Sequence, residues 1–215
     1  MNEKLERYMD EILRYNESIN LTAIRERDEF VTKHIVDSLL FADLPCIKEA
    51  DKIIDAGTGA GFPGVPLAIV YPEKEFVLLD SLAKKLKIVS DIADELGIEN
   101  VSTLHMRAED AGKDKAHRER YEVCVTRALA PLPVLLEYTL PLIRPGGKLA
   151  AYKGPQYEEE LADAKKALDI LGGELVSIEH SGLEDMDRTA LVISKTGKTP
   201  AQYPRKAGTP SKKPL

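Results

Sequence analysis

The densest chemistry in the chain lies in Ile53-Ile54-Asp55-Ala56-Gly57-Thr58-Gly59-Ala60-Gly61-Phe62-Pro63-Gly64, where an apolar run ends in an acid and passes into four glycines within eight residues. Such a segment reads as a strand feeding a tight turn beneath a ligand, because glycine tolerates positive φ and lets backbone N–H groups approach with no Cβ in the way. A second apolar run, Glu75-Phe76-Val77-Leu78-Leu79-Asp80, also ends in an acid. That acid falls where the next parallel strand would hold a carboxylate against ribose hydroxyls, so the two segments together predict a ribonucleoside site.

The glycine run leaves more than one ligand open. Gly59 to Gly64 satisfies the dinucleotide pattern G-x-G-x-x-G, which keeps an NAD-dependent oxidoreductase in play. Asp55 argues the other way, since an acid there suits a cationic, amino-bearing ligand and repels a pyrophosphate. Pro63 and Pro66 also remove donors from the first turn of the following helix, where a phosphate would want them, although Pro63 fits equally as a helix-start proline. A strand–turn–helix with no ligand is the bland alternative.

Stepping outward, 215 residues suffice for one α/β domain with a proper core. No apolar run approaches membrane-spanning length, and Met1-Asn2-Glu3-Lys4 opens a charged amphipathic segment, so a soluble, cytoplasmic protein is expected. Cys46 and Cys124 are too few and too isolated for a disulfide framework or a zinc site and read as small buried apolar residues; no metal is expected. The net charge is −6, but six of the 30 basic residues and none of the 36 acidic ones fall in 195–215, so the remainder carries −12. That asymmetry points to polyanion binding, with a disordered solubilising tail as the alternative because Pro200, Pro204, Pro210 and Pro214 oppose regular structure. A non-catalytic nucleic-acid binder that keeps a nucleoside fold therefore also stays open.

The order of elements follows from periodicity. Residues 3–19 place Leu5, Tyr8, Met9, Ile12 and Ile19 at near-helical spacing, and Asp28 suits the N-cap of a helix running to about Phe41. Strands are predicted at 52–56, 75–80, 101–105, 121–126, 148–153, 174–180 and 189–195. Helices fall between most of them, notably one after Asp80 that stops at Gly97 and one over 157–171 that stops at Gly172-Gly173. Alternating strands and helices imply an α/β fold: a Rossmann-like, seven-stranded, mostly parallel sheet with helices on both faces. The last two strands, joined without a helix, form an antiparallel C-terminal hairpin. The expected organisation is an N-terminal helical extension (1–45), a ligand-binding core (46–196) and a basic, proline-rich tail (197–215).

The whole pattern resembles the class I S-adenosylmethionine-dependent methyltransferases, and several motifs narrow it. Asn20-Leu21-Thr22-Ala23, His34-Ile35-Val36-Asp37-Ser38-Leu39, the Asp55–Gly64 run, Leu79-Asp80-Ser81, Arg107-Ala108-Glu109-Asp110, Thr126-Arg127-Ala128, Leu142-Ile143-Arg144-Pro145-Gly146-Gly147-Lys148 and Tyr203-Pro204-Arg205-Lys206-Ala207-Gly208-Thr209-Pro210 resemble, in order, the small-subunit rRNA guanine-N7 methyltransferase family, also called the glucose-inhibited division protein B family. The likeness spans nearly the whole chain. It implies S-adenosylmethionine as cofactor, 16S rRNA or the small ribosomal subunit as partner, and methyl transfer to N7 of a guanine near the decoding centre.

Under that resemblance Gly57 and Gly59 let the loop approach the methionine moiety and Phe62 supplies an apolar wall. Asp80 accepts from ribose hydroxyls, Ala108 and Glu109 read the adenine edge, and Arg127 contacts the cofactor; ordinary turn, core or surface roles remain the alternatives. No catalytic base is expected, because guanine N7 already offers a lone pair and loses no proton. RNA contacts fall to Lys33, Lys153, Arg205, Lys206, Lys212 and Lys213, which supply salt-sensitive affinity without base selection. Deleting 203–215 is accordingly expected to weaken RNA binding far more than cofactor binding. His34, Lys33, Asp37 and Ser38 gather on one polar helix edge with no role fixed. The oligomeric state is not readable; a monomer is expected.

Overall fold

The computed structural model describes residues 2–183 and 186–215; Met1, read above as opening the N-terminal segment, lies outside the described residues. Seven strands form one sheet: β1 (Lys52–Ala56), β2 (Glu75–Asp80), β3 (Val101–His105), β4 (Tyr121–Arg127), β5 (Ile143–Lys153), β6 (Gly173–His180) and β7 (Thr189–Lys195). Their order is β3-β2-β1-β4-β5-β7-β6. β1 to β5 pair in parallel, and β7 lies antiparallel between β5 and β6. The expected doubly wound sheet with its closing hairpin is therefore present. β5 starts at Ile143, five residues before the predicted strand, with a register irregularity opposite Tyr121 and Val123.

The helices are α1 (Glu3–Asn16), α2 (Arg27–Phe30), α3 (Asp37–Leu39), α4 (Pro45–Glu49), α5 (Gly64–Val70), α6 (Ala83–Glu95), α7 (Ala108–Ala111), α8 (Leu132–Thr139), α9 (Tyr157–Asp163), α10 (Lys165–Leu171) and α11 (Thr209–Lys212). Ile53 and Ile54 are both fully buried, as a central parallel strand covered on two faces requires. On one face α1 lays Leu5, Tyr8, Met9 and Ile12 into a core shared with Phe30, Phe62, Leu78 and Val125. On the other, Leu132, Leu135 and Leu136 of α8 pack with Leu168 and Leu171 of α10.

Three local expectations are corrected. The second helix begins at Arg27 after Glu26 and not with Asp28 as its cap; Asp28 lies in the first turn, where an acid favours the helix dipole. Its middle, Val31–Val36, widens into a π-helix before α3. The helix over 157–171 breaks at Ala164; α9 packs Tyr157 and Leu161 partly buried against the core, and its Glu160 accepts from Leu132 N and Lys153 Nζ, both at 2.6 Å.

The tail is neither disordered nor without regular structure. Pro210 sits in the first turn of α11, where a missing N–H costs nothing. Thr199 N donates to Glu119 Oε1 at 2.8 Å, and Arg118 reaches the carbonyls of Gly112, Thr199 and Tyr203 at 2.7–2.8 Å. Arg205 donates from its backbone N and its guanidinium to Glu137, a fully buried carboxylate of α8, at 2.6–3.1 Å. Removing one partner of a buried pair strands the other charge, at a cost of about 3–5 kcal/mol. Arg205→Ala is thus expected to lower the denaturant-unfolding free energy by about that amount; an unchanged unfolding midpoint would contradict the anchoring role.

Candidate active site

The strand order reverses between β1 and β4, which opens the crevice at the carboxyl ends of the strands where open α/β sheets bind ligands. The glycine hinge leaves β1 there. Asp55 Oδ2 accepts from Thr58 Oγ1 at 2.6 Å and from Gly64 N at 2.8 Å, drawing both ends of the hinge onto one carboxylate. A Cβ on Gly64 would fall 2.8 Å from that oxygen and 2.4 Å from Leu78 Cδ2, so only glycine permits the approach. Burial pushes the Asp55 carboxyl up to about 6, the bonds from Thr58 and Gly64 opposing. The acid read above as favouring a cationic ligand is thus fully buried beneath the hinge, and its Oδ1 has no hydrogen-bond partner.

The same geometry removes the dinucleotide reading. Gly64 N is taken by Asp55, Val65 N by the Gly61 carbonyl and Leu67 N by the Pro63 carbonyl, while Pro66 has no N–H. A pyrophosphate at this helix start would meet no free donor in the first turn.

Gly57 N and Thr58 N donate to the Leu79 carbonyl at 2.8 and 3.1 Å, fixing the hinge to β2. Asp80, half-buried at the end of β2, accepts from Gly59 N and Leu82 N, both at 2.9 Å. Each carboxylate oxygen retains capacity for a further donor. Beside it lies a cavity of about 270 Å³, walled by Gly57, Asp80, Ala108 and Glu109 together with Leu129, Tyr138, Gly208 and Ser211. Ala128 holds a left-handed backbone (φ 53°), which turns Leu129 onto Gly57; a Cβ there would lie 2.6 Å from Leu129 Cδ1. Strain of this kind, on the order of 1–3 kcal/mol, gathers at functional sites.

Phe62 and Arg127 do not join those walls. They form a second cluster on the side of the N-terminal helices. The Arg127 guanidinium donates to Asp37 Oδ2 (2.6 Å) and to His34 Nδ1 (3.1 Å) and lies 5.7 Å from the Phe62 ring centroid. Arg188 reaches the other oxygen of the buried Asp37 at 2.6 Å. His34 stacks on Phe62 at 4.7 Å with rings 4° from parallel. A guanidinium only donates, so Nδ1 is the acceptor and the imidazole proton sits on Nε2, which donates to Thr22 Oγ1 at 2.7 Å. His34 and Asp37 lie in and just after the π-helical turn, a device common at functional sites. Ser38 donates to the His34 carbonyl, and the Lys33 side chain turns outward to Glu29.

Several basic residues assigned to RNA are committed internally. Lys153 Nζ donates to the Ala130 carbonyl and to Glu160, and Arg205 is held by Glu137, so neither offers a free charge to phosphate. Lys206, Lys212 and Lys213 are exposed. The Glu109 carboxylate, expected to read an adenine edge, gives Oε1 to Gly208 N at 2.8 Å. Gly208 and Ser211 line the same cavity as Asp80, so the segment 203–215, expected above to serve RNA binding, also walls this cavity. Sequence reasoning missed Leu129, Tyr138, Arg188 and Glu137. Only Glu137 left a signal: a lone acid in the apolar run Leu132-Pro133-Val134-Leu135-Leu136 needs a buried partner.

Among the described residues, no helix is long and apolar enough to cross a membrane and no cluster of metal-ligating side chains occurs. A family model described as GidB, rRNA small subunit methyltransferase G, matches residues 1–189. The chain is 45% identical to the ribosomal RNA small subunit methyltransferase G of Alkaliphilus metalliredigens, over 97% of this chain and 88% of that one. It is 46% identical to the protein of the same name from Desulfitobacterium hafniense, over 99% and 89%. Among solved structures it is similar to the S-adenosylmethionine-dependent methyltransferase SibL in its apo form (TM-score 0.60, 15% identity, 91% of this chain and 70% of that one). It is also similar to a mutant of MtNAS in complex with S-adenosylmethionine (TM-score 0.62, 13% identity, 89% and 73%). At such identities these two likenesses speak to the fold.

Desolvation, reinforced by Arg127 and opposed by Asp37, lowers the His34 pKa from 6.5 to about 4. The unfolded chain takes up the proton first, so the stability His34 contributes is fully present above pH 6.5 and is lost as pH falls toward 4. A histidine-resolved NMR titration is expected to show His34 neutral down to about 4; a midpoint near 6.5 would contradict the stacked, Arg127-bound arrangement.

Proposed function

The chain belongs to the rRNA small subunit methyltransferase G family and is an S-adenosylmethionine-dependent methyltransferase of guanine N7 in small-subunit rRNA; from that premise we propose that the donor is held in the Asp80 cavity and that the target guanine lies near the decoding centre of 16S rRNA. The observation that carries the donor site is the meeting of the glycine hinge and Asp80 on one cavity at the switch point of the sheet.

The residues present fit an adenosyl ligand. Gly57 exposes backbone to the cavity, Asp80 has lone pairs to spare for ribose hydroxyls, and the first-turn N–H groups of α7 at Ala108 and Glu109 lack intrahelical partners and suit the acceptors of a purine edge. When bound, S-adenosylmethionine supplies an electrophilic methyl group on a sulfonium. The protein's contribution is to hold the hinge backbone still, seat the ribose and exclude water. Guanine N7 presents an in-plane lone pair and loses no proton, so no side chain need act as a base. Alignment of two reactants can supply roughly 7–11 kcal/mol, enough to carry most of the rate.

Arg127, clustered with Phe62 and His34 on the side of the N-terminal helices, is assigned the guanine side of the donor. Exposed Lys33, Lys206, Lys212 and Lys213 supply phosphate contacts. An rRNA substrate supports a cytoplasmic location.

Incubation with labelled donor and total ribosomal RNA is expected to label one guanine of the small-subunit RNA, located by mapping the modified base. RNA binding without methyl transfer would favour the non-catalytic reading. Asp80→Asn removes a charge-assisted contact worth about 1.5–3 kcal/mol, so donor affinity is expected to fall about 10- to 150-fold with RNA affinity unchanged. Equal loss of both would contradict the assignment of Asp80 to the donor.

A further inference from the structure

The C-terminal segment beyond the residues matched by the family model does more than cover the core. We propose that the strap Tyr203–Lys213 is a working wall of the donor cavity, and that Gly208 and Ser211 contact the adenine end of the bound nucleoside. The proposal rests on the donor site assigned above.

Three observations converge on it. First, Gly208 and Ser211 line the cavity that also holds Gly57, Asp80 and Glu109, although they stand 128 and more residues after Asp80 in the chain. Second, the strap is built to stay there. Arg205 is bound to the fully buried Glu137, Pro204 packs on Gly112, where a Cβ would fall 2.9 Å from Pro204 Cγ, and Gly208 N donates to Glu109 at 2.8 Å. Third, the strap meets the cavity at Glu109 of α7, beyond β3, and not at Asp80 at the end of β2. With the ribose on Asp80, the part of the nucleoside that extends toward α7 is the base.

The chemistry suits a purine. Ser211 Oγ donates to the Gly208 carbonyl at 3.2 Å, lies against the Tyr138 hydroxyl, and as a hydroxyl oxygen can accept from an amino donor. Tyr138 lies on the same wall, its phenol pushed up in pKa by burial. Ser211 and Tyr138 also border a larger cavity of about 630 Å³ that runs on to Pro214 and Leu215, so α11 stands as the partition between the two spaces. Gly208 adopts a left-handed backbone (φ 79°), which sets the turn that brings α11 to the cavity.

The test uses the full chain and two ligands, S-adenosylhomocysteine by calorimetry and methylthioadenosine by displacement of it. Wild type must bind S-adenosylhomocysteine; failure there sinks the donor site itself and is thereby distinguished from failure of the strap. Ser211→Phe places a ring in the cavity from an exposed position and gives up only the bond within its own turn and a contact with the Tyr138 hydroxyl, so the melting temperature of the free protein is expected to fall by no more than a few degrees. Affinity for both ligands is expected to fall about tenfold or more, by the same factor for each. Gly208→Ala meets no atom within 4 Å and acts through its backbone alone; a smaller loss in the same direction is expected. Unchanged affinity in both variants would overturn the wall, and a loss for S-adenosylhomocysteine without a loss for methylthioadenosine would overturn its placement at the adenine end.

Discussion

The buried carboxylate of Asp55 is the constraint from which the site follows. By holding Thr58 Oγ1 and Gly64 N on one oxygen it closes the hinge into a loop. Desolvation opposes a charge there and raises its pKa to about 6, a cost that the bonds from Thr58 and Gly64 offset only in part. Everything outward of the loop is registered to it. Gly59 N sets Asp80, Gly57 N and Thr58 N grip the Leu79 carbonyl, and Tyr8 of the N-terminal helix donates to the Ala60 carbonyl at 2.9 Å.

Two groups of distant segments converge on that loop from opposite faces. From one face come α1 and the π-helical turn, bringing His34 and Asp37 against Phe62 and Arg127. From the other comes the strap, locked by Glu137 and Glu109. The first cluster is a network of a neutral imidazole, a guanidinium shared with a buried carboxylate, and a stacked ring. The second is a cavity of about 270 Å³ beside Asp80. Under the proposed function the donor lies in the second and the guanine beside the first, and because guanine N7 loses no proton the chemistry needs alignment and no base.

Much of this was legible in the residues. Periodicity placed all seven strands, since long buried runs such as Ile53-Ile54 and Val77-Leu78-Leu79 admit few alternatives, and the hinge and Asp80 stood out by composition. What escaped depended on partners remote in sequence. Lys153 and Arg205 read as free charges until Glu160 and Glu137 are found beside them. Asp55 is legible as a chemical residue, but only the fold shows that Gly64, nine residues on, returns to its carboxylate. The proline-rich tail hid its order for a related reason: its bonds run to Arg118, Glu119, Glu137 and Glu109, none of them near it in the chain.

The central claim is that a hinge shaped by Asp55 and faced by Asp80 receives an adenosyl sulfonium and not a dinucleotide. Thermal unfolding of the full chain with each ligand in turn tests it most directly. At about 100 times the dissociation constant a ligand specific for the folded state stabilises by about 2.7 kcal/mol, so S-adenosylmethionine or S-adenosylhomocysteine is expected to raise the melting temperature while NAD leaves it unmoved. Stabilisation by NAD, with no response to either adenosyl ligand, would contradict the account.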